Sequence, residues 1–134
     1  MILVAGPPCG GKSTFVSKNA GTSDKVLDFD DLVEQICGDR HSREPDVVSE
    51  AMTRWKAELP TADWVIHNAP RRRQRGRYRS QYGAQVIVVT ASKGVCLERA
   101  RNERPEAWIG WVHDWFAQWE PSRTGEWIVD TTPK

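Results

Sequence analysis

The stretch Gly6-Pro7-Pro8-Cys9-Gly10-Gly11-Lys12-Ser13-Thr14 decides how the rest of the chain is read. Its fixed positions fall at the spacing G-x-x-x-x-G-K-[ST], which describes a loop that cradles phosphate. Such a loop turns its backbone N–H groups inward onto an anion, and needs glycine wherever a side chain would collide or φ must be positive. Met1 to Ala5, just before it, is a short apolar run and reads as a buried strand; Lys12 to about Asn19 reads as a helix ended by Gly21. The helix would present its N-terminal N–H groups and dipole to the same phosphates. That placement between strand and helix favours phosphate binding over an ordinary Gly-rich turn.

Strand and helix signals then alternate to the end of the chain. Lys25 to Phe29, Trp64 to His67, Gln85 to Val89 and Trp127 to Val129 are the further strand candidates. Between them lie predicted helices over Asp31 to Cys37, Asp46 to Leu59, the start of the Pro70 to Tyr82 stretch, Ser92 to Asn102 and Ala107 to Trp119. This alternation predicts an α/β fold with a five-stranded parallel sheet and helices on both faces. A length of 134 residues matches one domain, 1–134, and the chain contains no repeat or linker.

Composition narrows the class. At 39% hydrophobic and 28% charged residues the chain is expected to fold around a core, and its net charge of +1 specifies neither a nucleic-acid nor a membrane partner. Three widely spaced cysteines (Cys9, Cys37, Cys96) argue for a reduced protein without a structural metal. The longest strongly apolar run, Val86 to Val89, is too short to cross a bilayer, and no basic signal-peptide region leads the chain. The expected location is cytoplasmic.

A ring-forming ATPase or switch GTPase needs more chain, and the base-recognition pattern N-K-x-D does not occur. The remaining reading is a minimal phosphotransferase using ATP and Mg²⁺. Gly6, Cys9, Gly10, Gly11, Lys12, Ser13 and Thr14 form its expected ATP site, with Lys12 on the β- and γ-phosphates and the Ser13 hydroxyl on the metal. Asp28-Phe29-Asp30-Asp31 falls at the carboxyl end of the second strand, the edge where ligands bind in open α/β sheets. If Asp28 and Asp30 bracket the strand end, their side chains point to one side and Asp31 is free to cap the next helix. Asp30 is then the candidate base for an acceptor hydroxyl, and Asp28 a candidate for the metal or the acceptor.

Three segments together, the Gly6 to Thr14 loop, Asp28 to Asp31, and Cys96-Leu97-Glu98-Arg99-Ala100-Arg101-Asn102-Glu103-Arg104, resemble the small P-loop kinases, most of all the phage polynucleotide 5′-kinase branch. The layout is also similar to short AAA-like P-loop proteins of actinobacterial phages. The first resemblance implies the three-layer P-loop NTPase fold, and Asp30 as general base for a polynucleotide 5′-hydroxyl. An Arg that commonly follows three residues later in that branch is Val33 here. Asp28 to Glu34 also looks like the D-x-D-x-x-I-E signature of shikimate-type kinases, but His67-Asn68-Ala69-Pro70 stands where they carry a Gly-rich acceptor loop.

Arginine and tryptophan supply the remaining candidates. Arg71 to Arg79 holds six arginines in nine residues. Arg71 and Arg72 are the expected acceptor contacts for DNA or RNA 5′ ends, the alternative being a solvated helix face. In the resembling kinases the Arg99 to Arg104 region forms a lid over ATP. Arg101 and Arg104, three apart on one predicted helix, are the expected lid cations, and Arg99 a surface residue. Trp108, Trp111, Trp115 and Trp119 recur at helical spacing and read as core. The leading expectation is a polynucleotide 5′-hydroxyl kinase; alternatives are a small-molecule kinase acting on a nucleoside, nucleotide or sugar-like alcohol, and a non-catalytic ATP-binding regulator.

Overall fold

Leu3, Val4 and Ala5 are fully buried because the strand they form, β1 (Ile2–Ala5), lies at the centre of the sheet. The computed structural model describes residues 1–122 and 125–134. The other strands are β2 (Val26–Asp28), β3 (Trp64–Ile66), β4 (Gln85–Thr90) and β5 (Glu126–Asp130), all parallel in the order β2-β3-β1-β4-β5. The connecting helices are α1 (Lys12–Asn19), α2 (Phe29–Cys37), α3 (Pro45–Glu58), α4 (Arg72–Tyr82), α5 (Lys93–Glu103) and α6 (Ala107–Gln118).

The period-two alternation of the strands sorts the core onto two faces. Leu3, Ala5, Val65, Val86 and Val88 pack with Leu32 and Val33 of α2, Ala51 and Trp55 of α3, and Tyr78 of α4. Val4, Ile66 and Val89 point the other way, onto Val16 of α1. Cys96 and Ala100 of α5 meet Trp108 and Val112 of α6 in a third cluster. The expected five-stranded parallel sheet with helices on both faces is therefore present. No helix of the described residues is long and apolar enough to cross a membrane.

The boundary between β2 and α2 differs from the sequence reading. The strand stops at Asp28, whose Oδ1 accepts the Asp30 N–H at 3.0 Å, so Asp28 and not Asp31 caps the helix. Asp30 and Asp31 lie in the first helical turn, where the helix dipole favours carboxylates. Asp28 and Asp30 thus do not bracket a strand end; they share a cap.

The arginine strip is also divided by the fold. Arg71, Arg72 and Arg73 are exposed, but Arg75 is completely buried. Its Nε donates to Glu126 Oε2 at 2.5 Å, Nη1 to the Ala69 carbonyl at 2.8 Å and Nη2 to the Glu120 carbonyl, while its guanidinium lies 4.6 Å from the Trp119 ring centre. Arg79 donates to the same Glu126 carboxylate at 2.9 Å. Two arginines of the strip therefore hold β5 to α4.

His67, just beyond β3, is packed between Trp55 and Tyr78, with ring centres 6.0 and 5.8 Å away. Burial pushes the Tyr78 hydroxyl up to about 12, so it keeps its proton, and it shares a hydrogen bond with His67 Nδ1 at 3.1 Å. Burial, assisted by the Lys12 charge, lowers His67 to about 4.

Removing one partner of a buried ion pair strands the other. Arg75→Met or Glu126→Gln should each lower unfolding free energy in urea by about 3–5 kcal/mol, whereas Arg71→Ala, Arg72→Ala and Arg73→Ala should each stay within about 0.5 kcal/mol. His67 binds its proton more weakly folded than unfolded, so its contribution to stability falls as pH drops from about 6.5 towards 4. The loss should reach roughly 3 kcal/mol, and His67→Asn should flatten that part of the stability–pH curve relative to wild type.

Candidate active site

The phosphate loop leaves the carboxyl end of β1 and passes directly under β4. A Cβ on Gly6, at φ 152°, would collide with the Val89 carbonyl oxygen, and Gly11 adopts φ 99° at the start of α1. Cys9 holds φ 61° without being glycine, a local strain of order 1 kcal/mol. The loop is braced from outside. Thr131, just past β5, donates from Oγ1 to the Gly10 carbonyl at 2.7 Å, and Arg99 Nη1 donates to the Cys9 carbonyl at 3.0 Å. Arg99 Nη2 also donates to the Thr131 carbonyl at 3.1 Å, joining the two braces.

Lys12 opens α1 with its ammonium inside the loop, donating to the Gly6 carbonyl at 3.0 Å and the Pro7 carbonyl at 2.7 Å. Burial lowers its amine to about 8, and the Asp28 carboxylate offsets part of that. Asp28, itself buried, is pushed up to about 6, first by desolvation and then by the neighbouring Asp30 and Asp31 carboxylates. The loop and the acid pair face one cavity of about 980 Å³, lined by Lys12, Ser13 and Thr14 on one side and by Asp28, Phe29 and Asp30 on another.

Two arginines from the connection between α2 and α3 organise the acid side. Arg43 Nη2 donates to Asp30 Oδ1 at 2.6 Å, and its Nη1 to the Ser42 carbonyl at 2.6 Å. Arg40 donates to Asp31 at 3.0 Å and lies 3.7 Å from Asp28. Nothing in the sequence marked either: they lie in an aperiodic stretch, and the aspartates they hydrogen-bond are nine or more residues away.

Among the arginines chosen from sequence, Arg104 lines the cavity and Arg101 does not. Arg101 is exposed, whereas Arg99, expected at the surface, is the one that reaches the loop. The pairing of positions 101 and 104 failed because α5 ends at Glu103 and Arg104 is already extended, at φ −135° and ψ 159°. Arg104 lies 5.5 Å from the Trp108 ring centre, and its buried Nε has no hydrogen-bond partner among the described residues. Arg71 and Arg72 are likewise outside the cavity, because α4 turns them to solvent. Gly6 lies behind the loop, while Cys9, Gly10, Gly11, Lys12, Ser13 and Thr14 line the cavity.

The tryptophan stripe splits between core and cavity. Trp115 is buried and donates from Nε1 to the Asn68 carbonyl at 2.8 Å, and Trp119 stacks on it at 5.0 Å. Trp111 and one face of the buried Trp108 line the cavity with Met52, Trp55, His67 and Asn68. Helical spacing identified the shared face but not that half of it borders a cavity.

A metal-binding role is compatible with these residues. The Ser13 hydroxyl and Asp28 carboxylate offer hard oxygen donors that face the same cavity, and Mg²⁺ needs few protein ligands because it keeps waters and phosphate oxygens. Among the described residues no cluster of three or more His, Cys, Asp or Glu could hold a metal by itself.

No protein-family model matches the chain, and no curated protein matches it in sequence. Solved structures do match in shape. A gluconokinase from Sinorhizobium meliloti 1021 superposes with a TM-score of 0.65 at 17% identity, over 98% of this chain and 83% of that one. A sugar kinase from Janibacter sp. HTCC2649 gives 0.62 at 14% identity, over 98% and 83%. TT1252 from Thermus thermophilus gives 0.57 at 17% identity, over 99% and 88%. At such identities the likeness concerns architecture: the chain has the three-layer α/β fold of small P-loop kinases.

Proposed function

We propose that this protein is an ATP-dependent phosphotransferase that moves the γ-phosphoryl group onto a hydroxyl of a small-molecule acceptor. The observation that carries the reading is the single cavity faced by both the phosphate loop and the Asp28–Asp30 pair. Its volume is in the upper range of ligand sites. The structures of similar shape include a gluconokinase and a sugar kinase, which adds support for a small acceptor. The arginine strip gives less support to a polynucleotide: Arg75 and Arg79 are bound to Glu126, and Arg71 and Arg72 lie outside the cavity.

In this reading the loop amides and Lys12 hold the β- and γ-phosphates, Lys12 exchanging its carbonyl partners for phosphate oxygens. Arg104, with a free Nε beside the loop, neutralises charge that spreads over the transferring group. Arg99 keeps the loop in shape through the Cys9 carbonyl. Mg²⁺, when bound by Ser13 and Asp28, would add charge neutralisation at the β- and γ-phosphates. Asp30, held by Arg43, accepts the proton of the acceptor hydroxyl. The acceptor oxygen forms a bond to phosphorus, the bond from phosphorus to the β–γ bridging oxygen breaks, and ADP leaves with that electron pair.

The test uses γ-labelled ATP with Mg²⁺ and a panel of nucleosides, sugars, polyols and 5′-hydroxyl DNA. Lys12→Ala should abolish transfer and weaken ATP binding. Asp30→Asn should lower kcat by about 10²–10⁴-fold while leaving the ATP Kd within about twofold. Transfer that survives Asp30→Asn sinks its role as base, and ATP binding without transfer to any acceptor points to a regulatory protein. Preferred use of 5′-hydroxyl DNA would restore the polynucleotide reading.

The two arginines of α5 should separate in the same assay. Arg99→Ala is expected to lower kcat/KM for ATP by about tenfold or more, corresponding to one lost charged hydrogen-bond set, and Arg101→Ala to leave it unchanged. Equal effects would remove the bracing role.

A further inference from the structure

The acid end of the cavity is walled by aromatic and apolar side chains: Phe29, Met52, Trp55, Trp108 and Trp111. Phe29 meets Trp55 edge-on at 6.3 Å, and Trp108 meets Trp111 at 5.1 Å. Arg43 links the two pairs, its guanidinium carbon 5.4 Å from the Phe29 ring centre, 5.8 Å from that of Trp108 and 5.7 Å from that of Trp111. The same guanidinium holds Asp30 at 2.6 Å. The aromatic walls and the carboxylate therefore adjoin. Two of the few large hydrophobic side chains left exposed, Met52 and Trp111, open onto this cavity.

Charge at this end is already matched. The cations lining the cavity are Lys12, Lys18, Arg43, Arg99 and Arg104. Lys12 sits in the loop, Lys18 one helix turn and more along α1, and Arg99 on the loop's carbonyl. Arg104 flanks the loop, close enough for its charge to act on Cys9. Arg43 spends its donors on Asp30 and on the Ser42 and Arg40 carbonyls. An acceptor bearing a carboxylate or phosphate would meet two carboxylates, Asp28 and Asp30, and the cation beside them, Arg43, already holds Asp30. An open-chain polyol would leave its hydroxyls against indole and phenyl faces, with few hydrogen-bond partners.

We infer that the acceptor is an uncharged alcohol carried on a flat ring system with stackable faces, such as a nucleoside, whose ring lies against the aromatic walls while its hydroxyl reaches Asp30. This rests on the phosphotransferase reading for the transfer itself, but the aromatic slot makes a binding claim of its own. In the step, the acceptor hydroxyl gives its proton to Asp30 and its oxygen to the γ-phosphorus, yielding a phosphomonoester and ADP.

Tryptophan fluorescence tests the slot apart from the chemistry. The full chain, saturated with Mg²⁺ and a non-hydrolysable ATP analogue, is titrated with thymidine, gluconate or glycerol, and the same acceptors are offered with labelled ATP. Thymidine should quench saturably and accept label, and gluconate and glycerol should do neither. Trp111→Ala and Met52→Gln, both at partly exposed positions, should retain the melting temperature; Trp111→Ala should weaken thymidine binding by about tenfold, the scale of one lost base–aromatic stack. Trp127→Ala, at a residue 78% exposed on β5, is the control and should leave that affinity unchanged. Saturable thymidine binding without transfer upholds the slot and overturns the phosphotransferase reading. Transfer to gluconate or glycerol in preference to thymidine overturns the inference and leaves phosphotransfer standing. A 5′-hydroxyl oligonucleotide preferred over thymidine, or no thymidine binding at all, also overturns it.

Discussion

The site depends on a close approach between two pieces of backbone. The loop after β1 can take its path beside β4 only because Gly6 carries no side chain where the Val89 carbonyl stands. That contact brings the loop against β4, which puts Gly10 within reach of Thr131 and Cys9 within reach of Arg99. Lys12 then has one place to go, onto the loop's own carbonyls, and its burial there is what depresses its amine. A single methyl group at position 6 would disturb the geometry of every one of these groups.

Across the cavity the governing constraint is charge. Asp28, Asp30 and Asp31 crowd the start of α2; burial first and then the repulsion among them raise Asp28, Arg40 offsets part of that rise, and Arg43 pairs with Asp30. The helix N-terminus accounts for part of the stabilisation, through the dipole and the Asp28 cap. The two arginines do the rest, and Arg43 also orders three aromatic rings around itself. Electrostatics and packing are joined here in one side chain.

How far these features were legible follows from how local they are. The loop was readable because its glycines and lysine serve one short contiguous structure, and the five strands because each is a compact apolar run. Asp28 and Asp30 both line the cavity, although alternation was the wrong geometry for two residues that share a helix cap. Arg43 carried no signal, since its meaning lies in Asp30 and in rings of α6 more than sixty residues away. Arg99 was passed over for Arg101 because helical spacing was extended past the helix end, and Arg75 was read as part of a strip for nucleic-acid or polyphosphate contact, or a solvated face, because burial of an arginine depends on a carboxylate as distant as Glu126.

Thr131 gives the fold an order of assembly. The bond from its hydroxyl to Gly10 spans 121 residues, nearly the whole chain described. Contacts of such long sequence separation form only after the intervening chain has been brought together. The loop encoded nearest the start of the sequence therefore reaches its braced shape among the last, once β5 has docked on β4. A chain arrested or clipped before Thr131 could still build the inner strands of the sheet, yet its phosphate loop would lack the strut that completes it. Competence to hold a nucleotide would in this way report that β5 has docked on β4.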